Sequence, residues 1–295
     1  MDDYSDCFYS GCQGNDVLFY SFFEFKGFAG VTHTRGTYEL FCRMCEFVRE
    51  SGRGDLRAYL YGFICHYTLD RNIHPYVIYS AAKYMPPFFP PKYRKSLHLM
   101  LEAGIDFVLQ RDKLEKKHRG CDCDYVLKDS AAVCECVADM YFGAVDPLYG
   151  VKMPYEELLA LPKRMRSYQK IFENKNSPLY ALLMTAGAIM NYPSYIYGFR
   201  KPKKKYAKQD WMNLSRRLYP QTTGGSKMID LTVREIIFQS IEDALKIIAL
   251  ADDFIEKGTP LPKEEFALNF MGGKSLPIAP EGYDKKALRS KENKG

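Results

Sequence analysis

Apolar and polar residues almost nowhere alternate one by one along this 295-residue chain. A half-buried strand needs that period, so a sheet architecture is not expected. Apolar residues recur instead at intervals of three and four, and the fold class is read as all-α, a multi-helix bundle. Long uninterrupted apolar runs are also missing. The longest, LYALLMTAGAIMNYPSYIYGF (179–199), is broken by Asn191 and Pro193 and reads as a buried core helix rather than a membrane span. The first residues, MDDYSDCFYS, lack the basic and apolar segments of a secretory leader. The nine cysteines are therefore read as thiols of a reducing, cytoplasmic setting rather than as disulfides. No internal repeat is present.

Helical periodicity predicts elements over 37–50, 59–74, 94–117, 129–143, 155–174, 178–191 and 230–257. The first of these is ended by SGRG, and MPPFFPPKY (85–93) is a proline-rich connector. Residues 1–16 read as polar and glycine-containing, and the aromatic stretch 17–30 as more loop than regular element. Pro75 is expected to end its helix at His74, because the residue before a proline is pushed out of the helical region. One helical domain is assigned to 1–258, followed by a Pro/Gly/Lys-rich extension over 259–295 that covers the body loosely. The net charge of +6 is concentrated in KPKKKYAK (201–208) and the terminal SKENKG. It permits contact with phosphate or an anionic membrane surface, and solvated loops account for it equally.

The chain has only five histidines, and three of them fall in two helices at one repeated spacing. In YLYGFICHYTLDRNIHPY (59–76), His66, Asp70 and His74 stand at i, i+4 and i+8, and so share one helix face. Such groups on an apolar helix are costly to bury unless they are paired or coordinate a metal. In HLMLEAGID (98–106), His98, Glu102 and Asp106 repeat the spacing, as bundle metal sites do. Asp16 lies in the turn of GCQGND, and His33 lies between Thr32 and Thr34 at the mouth of a helix. Each alone has an ordinary explanation, a satisfied core histidine, a turn aspartate or an exposed side chain. The cysteines of CDC (121–123) and CEC (134–136) are too closely spaced for a structural zinc site and are read as unpaired. His118 is read as solvated. The aromatic run FYSFFEF (19–25) is read as a wall of a metal cleft or as core, with a membrane-inserting loop as the alternative.

These motifs together resemble the zinc-dependent phospholipase C family, in its branch of uncharacterised bacterial homologues. That branch carries a G-x-Q-G-x-D turn, a single downstream histidine, H-Y-x-L-D-x-x-x-H-P-Y and H-x-x-x-E-x-x-x-D, in the order found here. DWMNLSRRLYP (210–220) and the helix through 236–254 extend the resemblance, which covers about residues 9–255. It implies a helical phosphodiesterase with a cluster of up to three zinc ions. Asp16, His33, His66 and Asp70 match the ligands of one ion, Asp70 being the bridging carboxylate. His74, His98 and Glu102 match those of a second, which keeps a position for water. Asp106 is expected to orient a ligand, and Asp16 to act also as general base. The histidine-bearing first helix that holds the third ion is not read here, so two zinc ions are expected. Val17 stands where the secreted enzymes place an aromatic residue that helps bind choline, so choline is not the expected headgroup. The implied substrate is a phosphodiester, such as a phospholipid met at a membrane surface. A nuclease of the related P1-like type acting on nucleic acid, and a metal-binding scaffold without turnover, are the alternatives.

Overall fold

Helix α4, Gly54–Lys83, is thirty residues long and passes straight through Pro75. The expected stop at His74 does not occur. A proline inside a helix removes one backbone hydrogen bond and crowds the preceding turn, at a cost of about 3 kcal/mol. The residues that follow offset it. Tyr76 and Val77 are buried with Trp211, Met212 and Tyr219, and the Tyr76 hydroxyl donates to the Trp211 carbonyl at 3.0 Å. The computed structural model describes residues 4–21, 25–85, 97–114, 127–173, 178, 182 and 209–279. Outside these lie most of 178–191 and 179–199, the connector beyond Met85, residues 22–24 of the aromatic run, His118, CDC, the basic 201–208 segment and SKENKG.

Among the described residues the chain is all-α. Before Asp16 comes α1, Ser5–Gly11, and the turn itself is a 3-10 helix, Gly14–Tyr20; α2 follows at Lys26–Thr34. The expectation of loop over 17–30 is thus corrected, and 1–16, for which no element was read, holds a short helix. Elements of seven to nine residues span about two turns, too few for a period to show against an aromatic background. The α1 helix carries no histidine. Helix α3, Thr37–Ser51, and α5, Leu97–Leu114, lie where periodicity puts them. Helix α6, Ala131–Met140, starts at a Ser130 cap whose Oγ accepts from Val133 N. It runs on through a π-helical turn, Tyr141–Val145, into α7, Asp146–Tyr149. Helix α8 spans Tyr155–Glu173 and α9 Val233–Lys257. A reciprocal capping box opens α9: Thr232 N donates to Glu235 Oε2 at 2.8 Å, and Glu235 N to Thr232 Oγ1 at 3.3 Å. One short antiparallel pairing, Tyr219–Pro220 with Met228–Ile229, is the exception to the helical pattern. No described helix is long and apolar enough to cross a membrane.

The chain divides into two compact units, the first built from Met1–Arg71, Asp124–Arg166 and Ser240–Gly295, the second from Asn72–Cys123 and Ser167–Gln239. In the first, an aromatic knot joins Phe41, Tyr67, Phe266 and Phe270, with ring centroids 4.9 Å apart for Phe41–Phe266 and 5.0 Å for Tyr67–Phe270. Two of these rings come from the segment expected to lie loosely. Residues 259–279 do not: Phe266 and Phe270 are buried, and Gly36 N donates to Leu276 O at 2.8 Å. Isolated aromatics among Gly and Pro give no readable period, although burying each ring contributes roughly 2–3 kcal/mol. The core of the second unit gathers Tyr76, Leu97, Leu101, Ile105, Trp211 and Ile236.

Candidate metal centre

Two groups of potential ligands assemble, one in each unit: Asp16, His33 and His66, and separately His74, His98 and Glu102. Within each group the ligand atoms all lie within 4.8 Å of one another. In the first group, His33 sits in the last turn of α2 and is 5% exposed, so the ordinary explanation of a solvent-facing histidine does not apply. Its Nδ1 lies 2.6 Å from the Ala29 carbonyl. A carbonyl only accepts, so Nδ1 carries the proton and donates. In neutral His33 the lone pair then sits on Nε2, which faces Asp16 Oδ1 at 3.2 Å. A lone pair and a carboxylate at that distance repel unless a cation joins them, and the cation is either a second proton on the ring or a metal ion.

The turn that carries Asp16 is fixed on three sides. Gly14 has φ +51°, and a Cβ built on it would fall inside the His66 ring. Asn15, fully buried, donates through Nδ2 to the Thr32 carbonyl at 3.4 Å. Tyr141 Oη, in the π-helical turn, donates to the Gly14 carbonyl at 3.1 Å. Asp16 itself keeps 48% of its side-chain surface, so solvent reaches the carboxylate. Asp70 stands outside the three-membered group but lies 3.3 Å from His66 Nε2 through Oδ2.

In the second group, one carboxylate oxygen serves two imidazoles. Glu102 Oε1 lies 2.9 Å from His98 Nε2 and 3.5 Å from His74 Nε2. The two rings stack with centroids 5.2 Å apart. Burial pushes the Glu102 carboxyl up, but hydrogen bonds to His74 and then His98 outweigh it and hold it below the usual carboxylate range. Asp106, one turn on, joins neither group. Crowding by protein, and then the negative charge of Glu102, push it up to about 6, although the residue is exposed.

Residues 2–146 match the family model described as zinc dependent phospholipase C. This stretch, just under half of the chain, is that of the zinc-dependent phospholipase C family. No curated protein and no solved structure matches. Both ligand groups, with Asp70 and Asp106, lie inside the matched stretch. The match supports a phosphoesterase role and a zinc cofactor, and the donor set suits that ion. Imidazole nitrogens with carboxylate oxygens are zinc ligands, and three protein donors leave a coordination position open.

Sequence reasoning missed the parts of this candidate metal centre that hold the potential ligands in place. The Ala29 carbonyl and Tyr141 are ordinary residues without a motif; only the i, i+4 spacing of Ala29 and His33 on α2 hints at the first. Phe270 was also missed. Its ring centroid lies 5.5 Å from that of His33 and 5.8 Å from that of His66, and its N–H donates to the His33 carbonyl at 3.1 Å. Phe19, half exposed, stands 5.5 Å from the His33 ring. Cys134 and Cys136 are free thiols.

Proposed function

We propose that this chain hydrolyses a phosphodiester, of the phospholipid type, with zinc bound at two positions. Asp16, His33, His66 and Asp70 hold one ion, and His74, His98 and Glu102 the other. The observation that carries the reading is the fixed tautomer of His33: with Nδ1–H committed to Ala29, its Nε2 lone pair faces a carboxylate and calls for a cation. Outer partners of this kind regularly orient metal-bound histidines.

When bound, zinc polarises phosphoryl oxygens and lowers the pKa of a water to about 7. The side chains do the rest. Asp16, solvent-reachable on its turn, accepts the proton of the attacking water at a carboxylate oxygen. Gly14, Asn15 and Tyr141 keep that carboxylate at one place, so little orientational freedom is lost in the transition state. Glu102, held ionised by two histidines, keeps negative charge at the second position across the neutral range. The buried ring of Phe270 limits water on one side of the first. The P1-like nuclease reading draws on the basic 201–208 segment, which lies outside the described residues, and no other observation favours it.

The test is zinc per chain by mass spectrometry on protein purified without chelator, with hydrolysis of bis(p-nitrophenyl) phosphate and of phospholipid vesicles measured alongside. About two equivalents are expected, His66→Ala losing one and His98→Ala the other, each with loss of hydrolysis. A folded protein without zinc, or equal zinc in both variants and the parent, overturns the reading.

A further inference from the structure

Helix α1 brings two cysteines to two different neighbours. Cys7 lies beside Cys136 of α6, and Cys12, directly after α1, lies beside Cys65 of α4. The second pair follows from a glycine contact. A Cβ on Gly62 would lie 2.8 Å from the Cys12 nitrogen and 2.9 Å from the Gly11 carbonyl carbon, and one on Gly11 would lie 3.1 Å from Gly62 Cα. The two backbones therefore touch at Gly11 and Gly62. The residue after the first and the residue one turn beyond the second are then neighbours, and both are cysteines. Access separates the pairs. Cys7 and Cys136 are 4% and 0% exposed, whereas Cys12 and Cys65 each keep part of their surface.

We propose that Cys12 and Cys65 are a site of oxidative modification, which closes to a disulfide when the chain meets a peroxide. One sulfur attacks a peroxide oxygen: an S–O bond forms, the O–O bond breaks and water leaves. The second sulfur attacks that sulfenic acid: the S–S bond forms, the S–O bond breaks and a second water leaves. Two thiols give up two electrons and two protons, and hydrogen peroxide is reduced to two waters. A disulfide needs Cα atoms about 4.4–6.8 Å apart, a separation that glycine-to-glycine contact of two backbones favours. The bond ties the end of α1, just before the turn of Asp16, to the helix of His66. Oxidation thereby stiffens the frame of the first ligand group, and its formation does not require zinc.

The test treats the full-length reduced chain with a small excess of hydrogen peroxide and follows intact mass, non-reducing peptide maps and Tm. The expected result is loss of two hydrogens, a single Cys12–Cys65 cross-linked peptide pair reversed by dithiothreitol, and a Tm several degrees above the reduced form. Cys12→Ser and Cys65→Ser should each abolish both the cross-link and the shift. Oxygen addition at Cys12 or Cys65 without a cross-link, no reaction, or a cross-link only through Cys7 and Cys136 overturns the proposal. Because these readouts follow the unmodified chain and use no metal, they fail independently of the zinc assignment.

Discussion

The ring of His66 fills the space that a side chain at residue 14 would need. Gly14 also sits at φ +51°, where an L-residue pays about 1–2 kcal/mol, so two constraints fall on one position. Gly14→Ala is expected to push the imidazole away from Asp16 and His33. The outcome is loss of one zinc equivalent and destabilisation of about 2 kcal/mol or more, read by metal analysis and urea unfolding. Full zinc content in this variant would show that His66 does not ligate from this position.

Tyr141 supports the same turn from behind. Its hydroxyl donates to the buried Gly14 carbonyl, and Tyr141→Phe leaves that acceptor without its donor. Stability should fall by about 1 kcal/mol. Zinc affinity of the first group should fall about tenfold, the size usual for loss of an outer hydrogen bond. Chelator competition distinguishes the two groups: in Tyr141→Phe one equivalent leaves sooner than in the parent and the other does not. Parallel release of both equivalents would remove the special role of the π-helical turn.

Asp146 offers a test that depends on pH. The side chain is 3% exposed; Oδ2 accepts from Met153 N at 3.2 Å, and Oδ1 has no partner among the described residues. Burial pushes its carboxyl up to about 7. The folded state therefore binds more protons than the unfolded chain between roughly pH 4, the ordinary aspartate value, and about 7. Stability from this group is full below that window, falls as pH rises through it, and is level above. Asp146→Asn keeps an acceptor for Met153 and removes the ionisation. It should stabilise the protein at pH 8 by on the order of 2 kcal/mol and have little effect at pH 4, as read by urea midpoints at both values. A parallel shift at both pH values would contradict the raised carboxyl.

The helices of the candidate metal centre were legible because long helices with rare residues carry their own register. His66, Asp70 and His74, then His98 and Glu102, fall four apart, and no tertiary information is needed to put them on common faces. Asp16 and His33 were legible only through their place in a series of motifs. What could not be read depends on partners remote in sequence. The continuation of α4 through Pro75 rests on packing of Tyr76 against Trp211. The burial of His33 rests on Phe19 and Phe270, the second of which lies in a stretch that composition marks as irregular. Local propensity set the expectation in each case, and long-range packing, worth several kcal/mol per aromatic, overrode it.

Phe270 joins the remote end of the chain to the ligands. Its ring is fully buried, packs on Tyr67, Phe63 and Phe41, and stands between His33 and His66 on one side and the aromatic knot on the other. Phe270→Ala should cost about 3–5 kcal/mol through the lost burial and the cavity left behind. Because the cavity adjoins both imidazoles, the zinc of the first group should also exchange faster, while that held by His74, His98 and Glu102 is unaffected. Phe270→Leu restores most of the volume and should recover most of the stability but less of the metal retention, since a flexible aliphatic chain holds the rings less firmly than a flat one. Thermal unfolding with metal analysis of both variants checks this. If Phe270→Leu recovers both properties equally, the ring acts only as filling. If it recovers stability alone, the aromatic wall is part of what keeps the His33 and His66 nitrogens aimed.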